Sequence, residues 1–322
     1  MSIVIAVILL MSLFAVEVVY FKLADQFNII DKPNHRSSHT YVTIRGGGII
    51  FPIGAILFFF CFGFQYPFFI AGLFAIAFIS FLDDIHTLNN KVRLSVHLLS
   101  VLLLFYQWDL FEYPWYWIII ALIFVIGTIN AYNFMDGING ITGSYSFLAI
   151  IMLFYINSSV TPFTSSSLLI AVGLSLIVFN FFNFRNKAKC FAGDVGSISI
   201  AFIVIFLIGQ LILKTSNFNY ILLLLVYGLD AVVTIGFRVL RKENIFEAHR
   251  SHFYQYLSNE LKWPHLYVSI LYFVVQAIIN FLLIFVIKES LSLCLGLIVL
   301  SAIVFLATRF LVEGRSKLLS KA

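Results

Sequence analysis

The sequence predicts an all-α integral membrane protein, a polytopic bundle of about ten or eleven transmembrane helices. Three observations carry that expectation. The chain is 61% apolar and 11% charged, against roughly 45–50% and 25% in a soluble domain; its mean hydropathy is +1.02. Its apolar runs are continuous and of spanning length, where barrel strands would alternate residue by residue. Finally, 18 of its 20 Lys and Arg fall in alternate loops, the distribution expected when those loops share one side of a membrane.

Eleven runs meet these criteria in order: 1–21, 46–64, 67–82, 93–107, 115–132, 141–157, 165–182, 197–213, 218–237, 265–287 and 290–310. The first has neither a charged leader nor a small-residue cleavage site, so it reads as a retained helix rather than a cleaved signal. Only Gln65, Tyr66 and Pro67 separate the second from the third. The longest polar stretch, 238–264, is too small for a soluble domain, so 1–322 reads as a single polytopic transmembrane domain. No internal repeat is visible. Cys61, Cys190 and Cys294 are far apart and odd in number, which suits neither a disulfide framework nor a metal site.

The loops after odd-numbered runs hold all cations except Lys214 and Lys288. The positive-inside rule then puts the N-terminus outside and these loops in the cytoplasm. The same bias accounts for the net charge of +5, and no nucleic-acid partner is expected. Five polar motifs obey the same parity and therefore share the cytoplasmic face.

Asp83 and Asp84 close one of the most apolar runs. A carboxylate at the bilayer centre costs about 2.5–3.5 kcal/mol on insertion scales. Two neighbours repel by roughly 4 kcal/mol at 4 Å and an effective dielectric of 20. Such a pair belongs at a membrane edge, where a divalent cation relieves the repulsion; Mg²⁺ takes one or two carboxylates plus substrate phosphates. The plainer alternative is a pair of solvated loop acids partnered by Lys91 and Arg93.

From Asn130 to Gly143, amides and an acid recur at Asn130, Asn133, Asp136 and Asn139, with Gly137, Gly140 and Gly143 at the same spacing. Close helix packing explains the glycines but not the polar set, which suits the hydroxyls of a sugar or nucleoside. The segment from Asn183 through Lys189 to Ser197 ends in Gly193-Asp194-Val195-Gly196-Ser197 at the start of the next run. Helix capping is one reading; a third oxygen ligand beside backbone N–H groups that hold phosphate is the other. The longest loop carries His249, Arg250, Ser251 and His252. Arginine grips phosphate through two parallel bonds, and histidine donates to phosphate or moves a proton. Arg36 and Arg45, the latter before Gly46, Gly47 and Gly48, are further phosphate or headgroup contacts. An Asp pair, a distant Asp, basic and His groups and Gly-rich turns on one face are what phosphoryl transfer needs.

Phe81-Leu82-Asp83-Asp84, Asn133-Phe134-Met135-Asp136-Gly137-Ile138, Phe191-Ala192-Gly193-Asp194-Val195-Gly196-Ser197 and Arg250-Ser251-His252 occur in the order of the polyprenyl-phosphate N-acetylhexosamine-1-phosphate transferases. The chain resembles that family over its whole length. The resemblance implies a bacterial inner-membrane, multi-pass enzyme acting on a UDP-N-acetylhexosamine and undecaprenyl phosphate with Mg²⁺ or Mn²⁺, and it allows a homodimer. It implies catalytic roles for Asp83, Asp84 and His252, and metal binding by Asp83, Asp84 and Asp194. It implies substrate contacts at Asn133, Asp136, Asn139, Asn183, Lys189, Arg250, His249, Arg36 and Arg45. Two departures bear on the branch. Asn139 replaces a frequent second acid, and His252-Phe253-Tyr254-Gln255 replaces His-x-His-His. The latter form is similar to members that begin O-antigen or other surface-polysaccharide chains, rather than to the peptidoglycan-precursor enzyme. A transporter would instead place its acids near the midplane and often show repeats.

Overall fold

The structure, a computed structural model, describes residues 1–33, 38, 41–245 and 249–320. Its helices are α1 (Ile3–Gln26), α2 (Ile50–Cys61), α3 (Pro67–Ile85), α4 (Asn90–Gln107), α5 (Trp115–Met135), α6 (Ile141–Ser159), α7 (Ser166–Asn183), α8 (Gly193–Thr215), α9 (Leu225–Leu240), α10 (Phe253–Gln255), α11 (His265–Phe281), α12 (Leu291–Glu313) and α13 (Arg315–Leu319). A 3₁₀ stretch, Phe218–Leu224, leads into α9, and a π-helical stretch, Leu282–Ile287, prolongs α11. Every one of the eleven runs is helical. Among the described residues nine helices are long and apolar enough to cross a membrane. The remaining two are α2, which with its leading turn covers only Gly47–Cys61, and α4. The latter starts at Asn90 and takes Lys91 and Arg93 into its first turn. That choice is local: the Asn89 side chain accepts the Lys91 N–H at 2.9 Å and caps the helix.

Helix α8 is the axis of the bundle. Its spanning window is 83% buried, against 17% for α1 and 6% for α12. Helices α2, α3, α5 and α6 all pack on it. Phe202 and Phe206 stack on Phe69 of α3, with Phe206 at a ring-centroid distance of 3.8 Å. Without water, van der Waals packing and small residues must hold such helices together. A Cβ on Gly48 would lie 2.3 Å from the Gly196 Cα, so the turn before α2 touches the first turn of α8 backbone to backbone.

One end of the bundle gathers the motifs. Helices α1, α3, α5, α7 and α9 finish there, and α2, α4, α6, α8 and α11 begin there. A small β-structure ties it down. β1 (Ile30–Asp31) pairs antiparallel with β2 (Thr43–Ile44), Ile30 opposite Ile44, and Ile44 bridges in parallel to Cys190. The zipper continues as Phe191 N–H donates to the Ile44 carbonyl, Gly47 N–H to Phe191 and Gly48 N–H to Ala192. This pairing sets Arg45 beside the N-terminus of α8, although the two are about 150 residues apart in sequence.

Candidate functional site

Asp84 faces inward at the end of α3, its side chain fully buried. Its Oδ1 accepts the Asp194 N–H at 2.9 Å and its Oδ2 the Val195 N–H at 3.0 Å. Arg45 Nε completes the set, 2.7 Å from Oδ1. The carboxylate thus meets the first turn of α8, where orphan N–H groups and the helix dipole favour negative charge. Gly193 makes the approach feasible: its φ is +71°, and a Cβ there would lie 2.6 Å from Asp84 Oδ2.

Asp83 points the other way. Its Oδ2 pairs with Arg93 Nη1 at 2.7 Å, and its Oδ1 accepts the Leu88 N–H at 2.8 Å. Arg93 is thus a partner of Asp83, and both carboxylates of the pair are held in place. Asp194 is held most loosely: its oxygens lie 3.6 Å from Arg45 Nη2 and 3.4 Å from Arg93 Nη2. Three acids and two arginines thereby form one alternating cluster. Among the described residues no three Asp, Glu, His or Cys converge as a ready-made metal cage. Mg²⁺ does not require one, because it completes its shell with phosphate oxygens and water. Asp194, partly exposed and weakly paired, fits that requirement, with Asp83 sharing Arg93 beside it. Asp84, with both oxygens engaged, holds the α8 terminus.

Next to this cluster a polar cavity of about 350 Å³ is lined by Arg45, Asp194, Asn133, Asp136, Asn139, Gln255 and His265, among others. Asn133 is fixed by the Ser197 hydroxyl, which donates to its Oδ1 at 3.0 Å. Burial, opposed by the Thr142 hydroxyl and reinforced by Asp194 and Asp84, pushes Asp136 up to about 7. A second cavity, about 1030 Å³ and mostly apolar, runs between α5 and α9 past Gly127, Ala131, Leu225, Gly228 and Val232. It reaches His249, His252 and Tyr254 at the site end. Asn133, Asp136, Gly137 and Gln255 line both cavities.

The remaining expected residues divide. His252 is buried, with Nε2 unpartnered. His249 takes a 3.0 Å contact between Nδ1 and the Ser251 hydroxyl. Burial, then the neighbouring His252 and Arg238, lowers His249 to about 4, so it is neutral at neutral pH. Arg250 is exposed. Asn139 spends its amide N–H groups on the carbonyls of Arg185 and Asn186 while its Oδ1 stays buried and unpartnered. Asn183 spends both ends on the main chain, accepting from Gly140 N–H and donating to the Cys190 carbonyl; it shapes the cavity wall. Lys189 is exposed beside a third, outer cavity with Lys187 and Tyr41. Arg36 lies outside the described residues. Four residues absent from the expected set also belong here: Arg93, Gln255, His265 and Asp230. Asp230 had a legible signal, a single acid inside the apolar run 218–237, since an ionisable residue in a span marks function by default.

Residues 66–212 match glycosyl transferase family 4. That stretch is a little under half of the chain, and over it the chain is similar to that family. The matched stretch holds Asp83, Asp84, Asn133, Asp136 and Asp194, and ends before Asp230 and His252. The chain is 23% identical over 271 residues to the probable undecaprenyl-phosphate N-acetylglucosaminyl 1-phosphate transferase of Bacillus subtilis (strain 168), covering 78% of this chain and 75% of the relative. It is 28% identical over 207 residues to the undecaprenyl-phosphate alpha-N-acetylglucosaminyl 1-phosphate transferase of Escherichia coli (strain K12), covering 58% of this chain and 56% of the relative. The Salmonella typhi protein of the same description is 28% identical over 246 residues, 69% of this chain and 66% of that one. The match thus spans little more than half the length of the Escherichia coli relative.

Proposed function

We propose that this chain transfers an N-acetylhexosamine-1-phosphate from a UDP-sugar to undecaprenyl phosphate at the cytoplasmic face of a bacterial inner membrane. The products are polyprenyl-diphosphate-sugar and UMP. The observation that carries the reading is the junction of the two cavities. A long apolar groove suits a polyprenyl tail, a polar pocket suits a nucleotide sugar, and they meet at Asn133, Asp136, Gly137 and Gln255. The names of the relatives, which pair undecaprenyl phosphate with an N-acetylglucosaminyl 1-phosphate group, support the same substrate classes.

At the junction an oxygen of the lipid phosphate attacks the β-phosphorus of the UDP-sugar, and the bond to the UMP oxygen breaks. Arg45 and Arg93 supply positive charge to the phosphates, as electrostatic stabilisation of phosphoryl transfer requires. Asp194 with Asp83 would hold Mg²⁺ or Mn²⁺, which when bound neutralises phosphate charge and aligns the two substrates. Asn133 and Asp136 orient the donor sugar. The His-Arg-Ser-His-Phe-Tyr-Gln sequence from His249 to Gln255 favours the first membrane step of O-antigen or another surface polysaccharide.

The test is an assay of purified protein with undecaprenyl phosphate, Mg²⁺ and, in turn, UDP-GlcNAc, UDP-GalNAc, UDP-QuiNAc and UDP-FucNAc, reading the lipid product by mass. A lipid-diphosphate-sugar from at least one donor, with matching UMP, is expected. No lipid-linked product from any of the four would refute the proposal.

A further inference from the structure

Asp230 sits in α9, fully buried, and takes no part in the ion pairs of the acid cluster. Four N–H and O–H donors and the His252 ring surround its carboxylate. Oδ1 takes the Phe253 N–H at 3.0 Å, the Thr234 hydroxyl at 3.1 Å and His252 Nδ1 at 3.3 Å. Oδ2 takes the Tyr272 hydroxyl at 2.5 Å and the Tyr254 N–H at 3.3 Å. A carboxylate whose four other partners all donate is held as an acceptor-only group, which assigns the proton between it and His252 to Nδ1. The opposite nitrogen, Nε2, is buried with no protein partner, and its ring lines the large cavity beside Asn133, Asp136 and Tyr254.

The surroundings hold this pair rigidly. Arg309 of α12 donates from Nη1 to the Thr234 hydroxyl at 2.7 Å and from Nη2 to the Ser251 carbonyl at 2.9 Å, and pairs with Glu313. The Tyr254 hydroxyl donates to the Phe134 carbonyl at 2.8 Å, joining the histidine loop to the end of α5. The loop is thus pulled into the bundle from three helices, while the Nε2 atom of His252, a residue lining the large cavity, keeps no protein partner.

We propose that Asp230 is the positioning residue for His252. It fixes the imidazole as the Nδ1–H tautomer and keeps the Nε2 lone pair free beside the large cavity that Asn133 and Asp136 also line. Its negative charge balances the imidazolium formed whenever Nε2 takes up a proton, the division of labour seen where an acid orients a catalytic histidine. The inference rests on the transferase reading for what His252 meets, though not for the pairing itself. A merely structural Asp230, capping α10 through its contacts to Phe253 and Tyr254, would matter equally whether or not His252 is present.

Two measurements on the full-length protein decide. In UMP release, Asp230→Asn is expected to lower kcat by about 10²-fold or more with KM for the donor within about three-fold, in line with loss of a general acid–base group. In a His252→Asn background the same change is expected to cost less than about three-fold, because interacting residues are non-additive. Equal losses in both backgrounds, or full turnover in Asp230→Asn, would overturn the proposal. The ¹⁵N spectrum of histidine-labelled wild type needs no variant to fold: His252 is expected to carry its ring proton on Nδ1, and a proton on Nε2 alone would overturn the pairing. Wild-type protein that releases no UMP from any donor sinks the transferase reading, while the tautomer still decides Asp230.

Discussion

At the residue scale the three acids of the cluster do different work, and substitution should separate them. Asp194→Asn removes the loosely held carboxylate without disturbing a backbone partner. UMP release is expected to fall by about 10²–10³-fold, typical of a lost electrostatic contact to developing charge, with thermal stability unchanged. Asp84→Asn replaces an acceptor of two N–H groups and an ion-pair partner of Arg45. It is expected to lower stability as well, by about 1–3 kcal/mol for the unsatisfied groups left behind, read as a drop in Tm in detergent. Asp136 gives a pH test. Its ordinary value near 3.8 is raised to about 7, so the folded protein keeps a proton that the unfolded chain has lost. Stability should therefore fall as pH rises from about 4 to about 7, and Asp136→Asn should flatten that slope; an unchanged slope would show that the group titrates normally. The Asp pair, Asp136, Asp194 and His252 were legible because polar residues stand out in an apolar chain. The pairing of Arg45 with Asp84 was not, since it depends on a β-bridge between segments far apart in sequence. Nor was the inward lock on Asn183, because a side chain's partner is set by packing that a single sequence does not display.

At the scale of elements, glycine spacing marks two contacts of opposite kind. Gly48 and Gly196 touch, so Gly48→Ala should overpack the junction of α2 and α8 at a cost of about 1–3 kcal/mol, with activity falling as Arg45 is displaced. Gly127 of α5 and Gly228 of α9 face open space along the apolar cavity. Gly228→Leu should leave Tm within the spread of surface changes, about 0.5 kcal/mol. It should raise KM for undecaprenyl phosphate several-fold while affecting a short-chain polyprenyl phosphate less. Equal effects on both lipids would show that the lipid tail does not lie in this groove. Helix existence was readable at every run, because continuous apolar stretches leave the backbone no other way to satisfy its hydrogen bonds. Helix ends were less so: α8 starts at Gly193 rather than 197, since Asp84 caps it from another helix.

For the whole molecule, alternating cation-rich loops implied that five motifs share one face, and the structure brings the described parts of all five to one end of the bundle. The site is thus assembled from nearly the full length of the chain, with α8 as its floor. Its defining property is the contact between a large apolar groove and a polar pocket lined by Asp136, Asp194 and Arg45. The proposed phosphoryl transfer occurs where they meet. The most direct measurement is UMP release from a UDP-N-acetylhexosamine by purified wild-type protein and Asp194→Asn, with undecaprenyl phosphate present or omitted and with Mg²⁺ or a chelator. UMP is expected only from wild type with both lipid and Mg²⁺. UMP release that persists in Asp194→Asn, or that does not depend on the lipid, would contradict that expectation.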